Sequence, residues 1–470
     1  MKQGSNLKSF LGAGVLTALF ITFAAGCSAV ENTANNADKA ENAATAESNA
    51  TALEDTEDVY HEEASVSGGD EEAEAALTET LTGTTEEAEP DAATENEAEL
   101  SEHDPVHGVY LSAYVAGSTG MMDEIISKMD ECAINAVVID VKNDEGRVTF
   151  ETGGELVEEL GSCEKLVRDM PSLVDKLHEH GIYVIGRFVT FREMYLKNVK
   201  PEWMIRENGK VYTDKKGFCW IDPTNEEAWK YIEEIVSDCI DAGFDEIQFD
   251  YVRYGTGVKE NMIGLDGEGK QEAITAFSAH MEEFFSELGK PYSLDVFGTV
   301  IGSDTDRKIV GQDYAGLSVH TDYLSPMVYP SHYYDGSYGI AYPDEKPYDT
   351  VRHAMDESND VLDAAKGEGK DVKAQVRPWI QGFTASYLSH YIKYGGQQIR
   401  DQILASYEAG HKEWLIWNPS CKYPWDELTE EKLPHFEEAY EKALQKKALD
   451  EPEAEKQKAA ESVSSGNAEN

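Results

Sequence analysis

One pattern recurs along residues 136–418 of this chain: a short apolar strand that ends abruptly in acids, arginines or aromatics, followed by a helical stretch. The instances are Ala136-Val-Val-Ile-Asp140-Val-Lys142, Tyr183-Val-Ile-Gly-Arg187-Phe188, Ile247-Gln-Phe-Asp250-Tyr-Val-Arg253-Tyr254, Tyr292-Ser-Leu-Asp295-Val-Phe297, Tyr323-Leu-Ser-Pro-Met-Val-Tyr329, Ala374-Gln-Val-Arg377-Pro-Trp379-Ile-Gln381 and Trp414-Leu-Ile-Trp417-Asn418. Functional groups gathered at the C-terminal ends of strands that alternate with helices specify an α/β fold, the (β/α)8 or TIM barrel, whose active site lies on that face. The chain is therefore expected to be an enzyme.

Gly108-Val-Tyr-Leu-Ser-Ala-Tyr114 supplies the first strand, and Ile125, Ile126 and Met129 mark one face of the helix after it. Further helices are expected at residues 166–180, 226–242, 271–288, 313–319, 350–365 and 396–409, with an insertion at 193–224. Residues 105–447 thus read as one domain, close to the ~250 to 400 residues of a barrel with insertions.

Both flanks differ from this domain. Lys2 and Lys8 precede an apolar run at residues 10–25, shorter than the ~20 residues that cross a bilayer, and Ala24-Ala25-Gly26 is a small-residue cleavage site. Residues 1–26 read as an export signal. Ala-Gly-Cys27 resembles the bacterial lipobox, with Ala24 where leucine is more usual, which implies that Cys27 is acylated and holds the protein on the extracellular face of the membrane. From residue 31 to 104 the sole lysine or arginine is Lys39, and Ala, Glu, Thr, Asn and Asp dominate. Such a segment cannot bury enough apolar surface to offset its ordering entropy, so residues 27–104 read as a disordered, self-repelling tether and 448–470 as a disordered tail. Much of the formal charge of −51 sits on the tether. No basic stripe appears in the remainder, which argues against nucleic acid as a partner, and the acidic surface and flexible tether point to a monomer.

With Cys27 assigned to lipid, Cys132, Cys163, Cys219, Cys239 and Cys421 remain, an odd number without regular spacing and hence no disulfide framework. Cys132 and Cys239 fall in helical stretches, where a thiol packs as a small hydrophobe. No spacing suggests zinc, and no metal or cofactor is expected.

Acids on the C-terminal rim must then carry the chemistry. Asp250 ends an otherwise apolar strand and is the strongest candidate, either catalytic or in a salt bridge with Arg253. Asp295 ends the next strand and Asp140 the second. Adjacent strands lie about 5 Å apart, a separation at which two carboxylates can work as a pair. Glycoside hydrolysis needs such a pair, one member kept protonated and the other ionised, together with apolar platforms for sugar rings. Tyr114, Trp220, Tyr251, Tyr254, Tyr329, Tyr333, Tyr334, Trp379, Phe383, Trp417 and Trp425 fall at or beyond strand ends; singly each fits a core as well as a groove, but together they favour a carbohydrate groove. Arg187 and Arg253 are placed to orient carboxylates and substrate, or to form rim salt bridges. Lys142, His332 and Gln381 are candidates for hydroxyl recognition.

These same blocks carry a resemblance. Gly108-Val-Tyr110 at the first strand, Val-Val-Ile-Asp140-Val-Lys142, Arg187-Phe188, Trp220-Ile-Asp222-Pro, Phe249-Asp250-Tyr-Val-Arg253-Tyr254, Pro326-Met-Val-Tyr329-Pro-Ser-His332 and Arg377-Pro-Trp379-Ile-Gln381 resemble the putative glycosyl hydrolase domain family of bacterial secreted proteins and lipoproteins, itself distantly similar to α-amylase-type barrels. The similarity spans residues 105–424. It implies a barrel glycosidase in which Asp250 stands in the place of the strand-four nucleophile. The α-amylase-type acid is a Glu on strand five, where this chain has Asp295, and their arginine two residues before the nucleophile is here Gln248. The resulting expectation is a membrane-anchored glycosidase acting on a polysaccharide, with Asp250 as nucleophile or base and Asp295, or else Asp140, as acid. A barrel that binds glycan without cleaving it is the alternative, and a metal-dependent deacetylase a weaker third.

Overall fold

The computed structural model describes residues 104–446. The export signal, Cys27, the tether and the tail lie outside the described residues. Eight strand positions form the barrel: β1 His107–Leu111, β2 Ala136–Lys142, β3 Tyr183–Val189, β4 Glu246–Asp250, β5 Tyr292–Phe297, β6 Tyr323–Met327, β7 in two pieces, Gln375–Val376 and Trp379–Gln381, and β8 Trp414–Trp417. Each runs parallel to both neighbours, and β1 closes the ring by pairing with β2 on one side and β8 on the other. The expected (β/α)8 barrel is the fold.

Seven main helices, α1 Thr119–Met129, α2 Met170–Glu179, α3 Glu226–Asp241, α4 Gly267–Leu288, α5 Asp304–Val310, α6 Pro347–Gly367 and α7 Gly396–Glu408, lie between the strands. Their limits follow local chemistry. The Asn225 carboxamide accepts hydrogen bonds from the Glu227 and Ala228 amides at the start of α3, and Asp266 caps α4. Gly289 and Gly311 end α4 and α5 in the left-handed conformation. On α3 the buried side chains Ala228, Tyr231, Ile232, Ile235, Val236 and Cys239 recur at helical spacing and form the face turned to the sheet.

The break in β7 has a simple cause. Pro378 has no amide hydrogen to give to the ladder, so pairing with β6 stops at Val376 and resumes at Trp379. Four details differ from expectation. The helix expected at residues 313–319 is only Tyr314–Leu317, and α5 at Asp304–Val310 precedes it. The first strand stops at Leu111 because Ser112 caps a helical turn at Ala113–Ala116, which turns Tyr114 outward, 59% exposed. Cys132 lies in a turn after α1 rather than in the helix. Between β2 and α2, strand Val148–Phe150 folds back antiparallel on β2 and is joined by Cys163–Val167, widening the sheet outside the barrel. The five cysteines named above are all free thiols.

Candidate active site

Along β4 the alternation of side chains sorts two chemistries. Phe249 points outward and meets Phe277 and Phe285 of α4 edge to face at 5.7 and 6.0 Å. Glu246, Gln248 and Asp250 point inward and are all buried. The inward face of β4 is therefore polar from end to end. At the N-terminal end Arg377 pairs with Glu246 at 2.9 Å and Glu413 at 3.1 Å. In the middle Gln248 donates to Ser325 Oγ at 3.1 Å.

The C-terminal end is organised around Arg187. Its Nη1 donates to Asp140 Oδ1 at 2.7 Å, its Nε and Nη2 to Asp250 Oδ2 at 2.9 and 2.6 Å, and both terminal nitrogens reach Asp144 at 3.4 Å. Burial opposes the charge on Arg187, but Asp144, Asp250 and Asp140 together hold its pKa well above the usual value. The ion pair of Asp250 is thus made with the neighbouring strand β3. Arg253 instead lays its guanidinium over the rings of Phe297, Trp220 and Tyr251, 4.5, 4.9 and 4.9 Å from their centroids.

Two of the acids are pushed toward the neutral form. Burial raises Asp140 to about 6, helped by the charge of Asp144 and resisted by Arg187 and by the Tyr110 hydroxyl, which donates to Asp140 Oδ2 at 2.7 Å. Asp295 is raised well above the usual carboxylate range, first by burial and then by the charge of Asp250; the Trp379 indole, donating to Asp295 Oδ1 at 2.8 Å, only partly offsets this. The register Phe249↔Leu294 puts Asp250 and Asp295 at the next position on adjacent strands, which lie about 4.8 Å apart. The site therefore combines a buried carboxyl whose pKa is pushed up with one bound to a guanidinium, the kind of environmental difference that divides acid from nucleophile in carboxylate pairs.

Tyr251 follows Asp250 with φ +52°, a left-handed conformation that is rare for a bulky residue. It is fixed from three directions. Its amide donates to Asp250 Oδ1 at 2.7 Å, its carbonyl accepts from Phe191 at 3.3 Å, and its hydroxyl accepts from Arg192. Strain held by its surroundings in this way is characteristic of working sites.

Arg192, Asp144 and Tyr110 complete the cluster and were not singled out in the sequence. Arg192 is sandwiched between the Tyr251 and Phe218 rings at 3.7 and 4.4 Å and pairs with Asp144. The available signals were the spacings Asp140-x3-Asp144 and Arg187-x4-Arg192. Neither is periodic, because Asp144 sits in a turn and Arg192 in a two-residue strand, Arg192–Glu193, paired with Cys219–Trp220, both beyond the barrel strands. Tyr110 lay within the first strand, where nothing marked it as inward-facing.

The other residues named from the sequence divide by depth. Trp417 stacks near Tyr110 at 4.1 Å and lies 5.2 Å from the Arg187 guanidinium, so it joins the cluster. Trp379 joins it through Asp295. Tyr254 is fully buried beside Lys270, whose Nζ lies 5.6 Å from its ring, so its ring offers no sugar platform here. Tyr329 is 1% exposed and packs edge to face on His332 and Phe383. His332 is buried too, which lowers its pKa to about 3. Gln381 spends both ends on the protein, accepting from the Ser331 amide and donating to Asp344 and the Phe383 carbonyl. Lys142, wholly buried, pairs with Glu193 at 3.1 Å and donates to the Val189 carbonyl. Gln381 and Lys142 thus brace loops, because their polar atoms are already committed. Trp220 is likewise buried, donating to Asp214. Among the described residues no group of three or more His, Cys, Asp or Glu is arranged to hold a metal ion.

A closed parallel barrel with paired acids at the C-terminal rim of its strands defines the class of barrel glycoside hydrolases. Residues 108–423 match the family described as "putative glycosyl hydrolase domain", and the chain belongs to that family. No curated protein matches its sequence. Among solved structures, the chain is similar to a hypothetical protein from Ruminiclostridium thermocellum, at 30% identity over 40% of this chain and 97% of the other, with a TM-score of 0.35. The PgaB (BpsB) glycoside hydrolase domain from Bordetella bronchiseptica aligns over 70% of this chain and 99% of its own, at 13% identity and a TM-score of 0.50, a likeness of fold. An α-galactosidase from Thermus thermophilus aligns over 70% of this chain and 61% of its own, at 14% identity and a TM-score of 0.43.

Proposed function

We propose that this glycoside hydrolase cleaves the O-glycosidic bonds of a polysaccharide with Asp250 and Asp295 as its carboxylate pair. The observation that carries the reading is the juxtaposition, on adjacent strands, of the buried Asp295, whose pKa is pushed up by burial and by Asp250, with the Arg187-bound Asp250. Asp295 gives its proton to the glycosidic oxygen as the bond from that oxygen to the anomeric carbon breaks. Asp250 forms a bond to the anomeric carbon. A water then gives a proton to Asp295 and attacks that carbon, releasing the sugar and restoring both acids. The short separation expected of neighbouring strands fits this two-step, retaining course better than the wider gap that an inverting water needs. Asp140, raised to about 6, is the alternative acid. Arg187 positions Asp140 and Asp250, and Trp417 and Tyr110, both buried, pack beside it and help to hold it in place.

The leader and Cys27 support attachment to the extracellular face of a bacterial membrane, with residues 27–104 as the spacer between lipid and barrel. Cys27→Ser should move the protein from the membrane fraction to the medium; retention in the membrane fraction would refute the lipid anchor.

A second reading, glycan binding without hydrolysis, is favoured by the engagement of both Asp250 oxygens, Oδ2 by Arg187 and Oδ1 by the Tyr251 amide. Reducing-sugar release from a panel of wall and plant polysaccharides, by the parent and by Asp250→Asn, separates the two. Release lost in the variant supports hydrolysis at Asp250. Binding by both proteins with no release from either supports the binding module.

A further inference from the structure

The loops that follow β6 and β7 leave the C-terminal ends of their strands and therefore stand on the rim that carries Asp250 and Asp295. Surface loops are ordinarily built from small and polar residues, because bulky apolar side chains gain nothing in water. These two break that rule. The large hydrophobic side chains left exposed in the described residues are Tyr114, Met121, Val199, Tyr334, Tyr387, Tyr391, Tyr440 and Leu444, and three of these eight lie on the two loops. Tyr334 is 39% exposed, Tyr387 47% and Tyr391 43%. On the same two loops Tyr342, from the first, and His390, from the second, stack face to face across the junction, with centroids 3.7 Å apart and planes 14° from parallel.

The rings are mounted on a braced support. Asp344, 2% exposed, accepts from Gln381 at the end of β7 at 2.9 Å and from the Ile392 amide at 3.2 Å, and its own carbonyl accepts from the Tyr394 hydroxyl at 3.1 Å. One buried carboxyl therefore ties both loops to a strand whose Trp379 holds Asp295. Exposed tyrosine rings on such a mounting cost little conformational entropy when a ligand covers them.

From this arrangement we infer that Tyr387 and Tyr391, with the Tyr342–His390 stack and Tyr334, form a distal subsite that holds the sugar rings of a polysaccharide several units from the bond being cut. The inference rests on the glycoside hydrolase reading and extends it, since it makes a long glycan chain the substrate and internal bonds its target. A glycan is the occupant that fits this shelf: the loops leave their strands at the catalytic rim and are tied to the end of β7, they present exposed tyrosine rings rather than a cationic stripe, and sugar rings stack on such faces through their C–H edges.

The test uses the full chain with the double variant Tyr387→Ala/Tyr391→Ala and its conservative counterpart Tyr387→Phe/Tyr391→Phe, both checked for an unchanged melting temperature. Two readouts are taken: reducing-sugar release from soluble polysaccharides against release of nitrophenol from p-nitrophenyl monoglycosides, and retardation in native gels containing glycol chitin, xylan or soluble starch. The expected result for the alanine variant is a KM for polymer raised about tenfold, with kcat/KM on the monoglycoside unchanged and the phenylalanine variant close to the parent. Equal losses on polymer and monoglycoside, or no loss on either, would overturn the subsite. If the parent cleaves nothing but is retarded by a glycan, retardation lost in the alanine variant upholds the shelf while the hydrolase reading fails. Retardation unchanged in that variant, or absent for the parent with every glycan, counts against the shelf.

Discussion

Two buried arginines divide this barrel, and they do different things with the same chemistry. Arg377, at the N-terminal end, pairs with Glu246 and Glu413 and lies 3.8 Å from the Tyr323 ring centroid; Glu246 also accepts from Ser293 at 2.6 Å and from Tyr183 at 3.3 Å. Its side chain and that of Glu246 are 0% exposed and that of Glu413 6%, so no member of this cluster opens as far as Asp250 or Asp144 do at the other end. Arg187, at the C-terminal end, also pairs with acids, but these become more open outward, from 5% exposed at Asp140 to 10% at Asp250 and 25% at Asp144. A sealed cluster can only specify packing, whereas one that opens to the rim can meet a substrate. In this architecture the bottom of the barrel carries stability and the top carries chemistry, and the composition of the two clusters alone would not have separated them.

The sharpest way to break this comparison is to neutralise one acid in each cluster. Asp250→Asn should lower turnover by about 1,000-fold or more, while Arg187 keeps Asp140 and Asp144 as partners and the fold survives. Loss of folding without any catalytic effect in the soluble fraction would assign Asp250 to structure alone. At the other end, Arg377→Met leaves Glu246 and Glu413 buried without their cation and should cost about 3–5 kcal/mol in denaturant unfolding. The turnover of the molecules that do fold should stay within about twofold of the parent, since the bottom of the barrel takes no part in chemistry. A large fall in kcat there would erase the distinction between the two ends.

The upper cluster should also announce itself through pH. Asp140 titrates near 6 in the folded protein against a usual value of 3.8. The folded state therefore binds its proton more tightly than the unfolded state, and the associated stability is present below about pH 4 and lost as pH rises through about 6. Asp140→Asn has no proton to lose. Its stability relative to the parent should rise by up to about 3 kcal/mol across that window and stay level above it. A flat difference in urea titrations from pH 4 to 7 would contradict the raised pKa.

The smallest effect is expected where a rim candidate proved to be core. Tyr254→Phe removes one hydroxyl at a buried position beside Lys270 and should change KM and kcat by less than about twofold, with stability shifted by about 1 kcal/mol or less. A selective rise in KM would return Tyr254 to the substrate side.

How much of this was legible in the chain depends on what kind of signal each residue leaves. Asp140, Asp250 and Asp295 could be found because a charged residue at the end of an apolar strand is conspicuous in one dimension. Arg187 was found for the same reason. Which of the two rim arginines pairs with Asp250 could not be told, since Arg253 is nearer to it in sequence, yet the parallel register brings β3 alongside β4 and puts Arg187 on Asp250. Tyr254 and Gln381 misled because an aromatic or amide just past a strand reads alike whether it turns outward or folds back, and only the loops packed over them settled the matter.

The sequence by itself determined the barrel, because strand and helix periods and their alternation are properties of neighbouring residues, and once eight such units must bury their apolar faces few closed arrangements remain. It also determined which strands end in acids. Which acid meets which base, and which of two similar Arg–carboxylate clusters opens to solvent, was decided only by the tertiary structure. Pairing between strands far apart in sequence, and the depth at which each charge sits, set both the ion pairs and the cost of ionising Asp140 and Asp295.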